Sequence, residues 1–165
     1  MSESNQPVEE HVSALSSMEA VTRERAREAL IRIGSPAVEG VVELLKHPQQ
    51  HARWEACKTL EGIAHPSAAS SLVEAMADED QDVRWVAGAA MIALKRDGLE
   101  PLLVALMDKD RVARLQSAAH HVAHELSRKE LEEVLGPLLE ALSVPDAELA
   151  VPVAAEKALK QLRNR

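Results

Sequence analysis

The sequence contains no tyrosine, no phenylalanine and only two tryptophans among 165 residues. Strands draw heavily on aromatic and β-branched residues, so a chain this poor in aromatics and rich in Ala, Leu, Val and Glu is expected to be helical. Its one cysteine, Cys57, excludes an internal disulfide and fits a reducing compartment. No apolar run approaches the roughly 20 residues of a transmembrane helix. The opening "MSESNQPVEE" is polar and acidic, unlike a signal or transit peptide. These absences predict a cytoplasmic protein without membrane contact. Basic residues are also in deficit: the net charge of −8 repels phosphate backbones and argues against nucleic-acid binding.

What the chain does contain is a repeat. The segments "VEEHVSAL" (8–15), "AVEGVVELL" (37–45), "SAASSLVEAM" (67–76), "GLEPLLVAL" (98–106) and "VLGPLLEAL" (134–142) share one apolar pattern, closing on Leu15, Leu45, Met76, Leu106 and Leu142. A second series interleaves with the first. In it Arg23, Arg53, Arg84 and Arg114 open "TRERAREALIRIG", "ARWEACKTLEGIA", "VRWVAGAAMIALK" and "ARLQSAAHHVAHEL", and a fifth member begins at Ala150. Each unit thus predicts two helices of roughly ten to fourteen residues that stack on the next pair to bury their apolar faces. The units read as residues 7–34, 35–65, 66–97, 98–128 and 129–163 of one domain, after a disordered stretch at 1–6. Breakers such as "GSP" (34–36) and "RDG" (96–98) separate units. Acidic turns such as "DEDQDV" and "DKDRV" offer acceptors to the helix that follows. Six extra residues around "SRKELEEVLGP" set the fifth unit apart, with Gly136-Pro137 expected to kink or restart a helix and Pro152 expected in a first turn.

The element L-x-P-L-L-x-A-L, then D-x-D-x-x-V-R, then A-x-x-A-x-x-A-L resembles the HEAT repeat, in particular the HEAT-like type of the phycobilisome-lyase group. Asp78, Asp80, Val83, Arg84, Pro101, Leu102, Leu103 and Leu106 carry it best. The resemblance implies an all-α, right-handed α-solenoid of about five helical hairpins, with the helix after the V-R element on the concave face. It also implies that Arg23, Arg53, Arg84 and Arg114 pair with acids such as Asp80 and Asp110 in a structural ladder between neighbouring turns. Arginine suits that role because its fork satisfies two acceptors at once.

Chemistry is sparse. His120 and His124 stand four apart on one helix, a spacing that lets two imidazoles share a metal, yet two ligands are too few for a closed site. HEAT-type deoxyhypusine hydroxylases resemble this fold and use repeated His-Glu pairs for a di-iron centre. Here only His124-Glu125 forms that pair, so the resemblance does not extend to the activity. The histidines of "HPQQH" (47–51) lie in a turn, and Cys57 has no activating base nearby in sequence. No Gly-rich phosphate loop, CxxC pair or Ser-His-Asp set is present. The expectation is no enzyme, no metal and no cofactor.

The tryptophans carry the functional reading. Trp54 and Trp85 each follow a ladder arginine, at positions pointing away from the expected core. The stripe they share runs from charged (Glu24, Glu28, Arg32) through Trp54, Lys58 and Gly62 to apolar (Trp85, Ala89, Ala93, with Ile92 beside it). Exposed apolar stripes with Trp anchors mark interaction surfaces, whereas the alternative is that curvature or a neighbouring helix covers the rings. The chain is therefore expected to be a non-enzymatic scaffold holding a partner protein or peptide in its groove. Trp54, Trp85, Lys58, Glu55, Ala89, Ile92, His120 and His124 are the candidate contacts, and a homodimer through the apolar face is a further option. The alternative is a bilin-handling protein related to phycobilin lyase subunits. HEAT-like alkylpurine DNA glycosylases also place tryptophans on a concave face, but need a basic groove and a carboxylate that the region around Ala89 lacks.

Overall fold

The computed structural model describes residues 6–164. They form ten α-helices in five antiparallel pairs, and no strand occurs among them. The pairs are α1 (Gln6–Ala14) with α2 (Ala20–Ile33), α3 (Val38–Glu43) with α4 (Gln50–Ile63), α5 (Ala69–Ala75) with α6 (Gln81–Ala93), α7 (Leu99–Leu106) with α8 (Lys109–Leu126), and α9 (Glu132–Leu142) with α10 (Ala147–Arg163). The architecture is the all-α solenoid of stacked hairpins that the repeat predicts. The disordered stretch expected at 1–6 lies outside the described residues except for Gln6, which opens α1. No described helix is long and apolar enough to cross a membrane.

The closing residues Leu15, Leu45, Met76, Leu106 and Leu142 are all buried, within one continuous core. The first helices of the middle pairs are shorter than predicted, six to eight residues. Their first turns tighten into 3-10 segments (Ser35–Ala37, Pro66–Ala68 and Lys95–Gly98), where Pro36 and Pro66 fix the entry angle at no hydrogen-bond cost. Gly34 (φ 77°) and Ala64 (φ 50°) end α2 and α4 with amides that reach back to Leu30 and Leu60. Two acidic turns cap as expected. Asp80 accepts from the amides of Asp82 and Val83, and Asp108 from that of Asp110.

The fifth pair departs from the others, and not where the prolines predict. The extra residues are absorbed by a π-helical turn, Ser127–Leu131, that leads directly from α8 to α9, with Leu131 (φ −118°, ψ 18°) leaving the helical region at the join. Pro137 then lies inside α9, and Pro152 inside α10 rather than in its first turn. Pro137 is exposed, so the hydrogen bond it removes is a solvent-facing one. The consequence is positional: α9 packs on α8, while α10 packs on α7, α8 and α9 together. The end of α10 is pinned by Arg96 donating to the Leu162 carbonyl and by the Arg163–Glu100 ion pair.

Candidate functional site

The second helices α2, α4, α6 and α8 pack side by side in one layer. Arginines lock its first turns. Nη1 of Arg23 donates to the carbonyls of Ser17 and Met18, that of Arg53 to His47 and Pro48, and that of Arg84 to Asp78 and Glu79. Each guanidinium thus wraps the turn five and six residues before it. Arg53 also grips Asp78 with two bonds of 2.8 and 3.0 Å, and both side chains are buried. That carboxylate holds the Arg53 guanidinium above its ordinary pKa. Burial pushes the neighbouring Cys57 thiol up to about 12, a protonated state unsuited to nucleophilic work.

Two sequence expectations change here. Glu55, a candidate partner contact, is buried and accepts from both Arg23 and Arg27; its place is in the seam between α2 and α4. Arg114, the expected fourth rung, is exposed and makes no ion pair with a described residue. The physical reason is the α7–α8 turn, which consists of only Met107 and Asp108. Arg114 therefore stands six residues after its N-cap, Asp108, where Arg84 stands four after Asp80, and no turn wraps beneath it. Neither Asp80 nor Asp110 forms an ion pair with a ladder arginine. Asp80 caps α6 and accepts from Gln50, and its bond from the Val83 amide leads the causes that hold its carboxyl below the ordinary range. Asp110 occupies the first turn of α8.

The tryptophans part company. Trp54 is half-buried and packs against the core, whereas Trp85 is 62% exposed. The Trp85 indole lies on the His121 imidazole, with ring centroids 4.3 Å apart and an interplanar angle of 21°. Ala89 and Ile92 follow it as half-buried residues, and Lys58 is engaged by Glu61 at 2.6 Å. His120 and His124 stack on each other with centroids 6.4 Å apart, and His124 meets Glu125 at 3.2 Å. Among the described residues no three His, Cys, Asp or Glu side chains converge to hold a metal.

Between α6 and α8 opens a recess of ≈ 120 Å³, walled by Trp85 and His121 and bordered by Arg84, Arg114, Ser117 and Gly88. No lining residue is acidic. His121 and the pairing of Arg114 with this recess escaped the sequence reading, which took His120 and His124 as the outward histidines. The shortened turn before α8, which sets Arg114 six rather than four residues past its N-cap, has no signature in the repeat spacing.

Comparison with known proteins now fixes the family. HEAT repeats match residues 8–92, just over half of the chain. The chain belongs to the HEAT repeats. No curated protein matches it. Among solved structures, this HEAT-repeat chain is similar to an engineered protein of the Northeast Structural Genomics Consortium, at 22% identity over 95% of this chain and 79% of that one, with a TM-score of 0.49. It is also similar to a designed armadillo repeat protein in complex with the peptide (KR)4, at 17% identity over 94% and 87%, with a TM-score of 0.47.

Proposed function

We propose that this HEAT-repeat chain is a non-enzymatic, cytoplasmic scaffold that holds a segment of another protein against the face of its second helices, centred on α6 and α8. The observation that carries this reading is Trp85: a large indole left 62% exposed, yet held flat by His121 at the mouth of a recess. A ring already fixed in place loses little freedom on binding, which is what makes such side chains effective anchors. A tetrapyrrole is the weaker occupant, because ≈ 120 Å³ is well below the ~300–1,000 Å³ of small-molecule sites and suits a single side chain.

The test is to pan a random-peptide display library against the full chain and measure the recovered peptides on Trp85→Ser. The expected result is a loss of at least ~2 kcal/mol in binding, with the melting curve unchanged. Recovering no peptide, or recovering peptides indifferent to Trp85→Ser, overturns the proposal. Self-association that masks Trp85 in the free protein also overturns it, by putting a second copy where the partner belongs.

A further inference from the structure

We infer that the recess beside Trp85 receives a carboxylate from an acidic peptide segment. The inference rests on the scaffold reading above and names the chemistry of the partner. The chain carries 27 acidic against 19 basic residues, so an arginine surrounded by its own fold ordinarily finds an acid. Arg23 and Arg27 find Glu55, Arg53 finds Asp78, Arg111 finds Glu74 and Arg163 finds Glu100. The two arginines at the recess do not; Arg25 and Arg96 also make no ion pair with a described residue, but Arg84 and Arg114 share one recess. Arg84 spends Nη1 on two turn carbonyls, and the rest of its fork has no partner among the described residues. Arg114 is exposed and outside the ladder, with no ion pair to a described residue.

Both guanidiniums border one recess with no acid in its lining, so the charge of the lining is opposite to that of the whole molecule. Planar forked donors favour a carboxylate, which accepts two parallel N–H bonds from one guanidinium. Size and charge select the carrier. The recess has room for one side chain, and a polyphosphate chain would run on across a surface whose net charge is −8. An Asp or Glu side chain meets both conditions, and the exposed face of Trp85 accepts an apolar residue next to it. The partner is thus a peptide with an acidic residue beside an apolar one.

The same display selection, followed by titration of a synthetic consensus peptide, tests this. The expected consensus contains Asp or Glu next to an apolar residue. Arg114→Gln should weaken that peptide about tenfold with an unchanged melting curve, since Arg114 holds nothing in the fold. Replacing the peptide's Glu by Gln should cost as much on the parent chain and nothing further on Arg114→Gln, and added salt should weaken binding. A consensus lacking acids, or one indifferent to Arg114→Gln, sinks the carboxylate inference while leaving the scaffold reading intact so long as Trp85→Ser still weakens binding as expected. Single-stranded oligothymidine binding more tightly than the peptide also overturns it, in favour of nucleic acid.

Discussion

The seam between α2 and α4 and the seam between α6 and α8 belong to one layer of helices, but they are finished differently. In the first, Glu55 is buried beneath Arg23 and Arg27, and the side chain of Ile31 fills the space above Gly62. In the second, the space above Gly88 is only lightly filled, Trp85 lies on His121 across the gap, and Arg84 and Arg114 border the recess. One seam therefore serves cohesion, and the other leaves a recess. The difference arises from which side chains reach across the seam and from the two-residue turn before α8, which sets Arg114 six rather than four residues past its N-cap.

The largest effect should come from the arginine ladder next to the closed seam, where Arg53 on α4 meets Asp78 in the turn before α6. Arg53→Ala removes the partner of buried Asp78 and releases the His47 and Pro48 carbonyls, so denaturant unfolding should show a loss of about 3 kcal/mol. Arg114→Ala on the open side should leave the curve in place.

The tryptophans give the next contrast. Trp54→Ser should cost about 2 kcal/mol, because that ring packs on the core, whereas Trp85→Ser should stay within ~0.5 kcal/mol. With no other indole and no tyrosine, each single variant reports on the remaining ring. Trp85 should emit at long wavelength and be quenched readily by acrylamide, and Trp54 should emit further to the blue. Identical spectra would erase the distinction between the two seams.

The smallest effect is a difference of sign between two glycines. At Gly88 an added Cβ would meet Val122 at 3.7 Å and His121 at 3.9 Å, ordinary contacts, so Gly88→Ala should gain about 0.5–1 kcal/mol from helix propensity. At Gly62 the Cβ would fall 2.5 and 2.7 Å from Ile31, so overpacking should outweigh propensity and Gly62→Ala should lose up to about 1 kcal/mol. Thermal melts of the two variants moving in the same direction would refute this account of how the seams are packed.

The five hairpins were legible because burial imposes a period: a leucine or methionine must close each first helix, and all five that the spacing selects are buried. The exposure of Trp85 was legible for the same reason, since its position opposes the apolar stripe of α6. What was not legible depends on contacts between units. Glu55 looks like any helical surface acid until two arginines from the preceding unit are seen above it. Trp54 and Trp85 are indistinguishable by position, and only their neighbours across the seam separate them. The position of Arg114, six residues past its N-cap, follows from a turn of two residues that the regular arginine spacing conceals.

The way α10 lies across α7, α8 and α9 bears on how the array comes apart. In a stack held only by neighbours, either end can unzip one unit at a time. Here residues near 96–100 are tied to residues 162 and 163, so the C-terminal end cannot peel away without disturbing the junction between the third and fourth pairs. Fraying is then directional. It should run inward from α1 and α2, and the last two pairs should open as one cooperative block, with amides that exchange together and last.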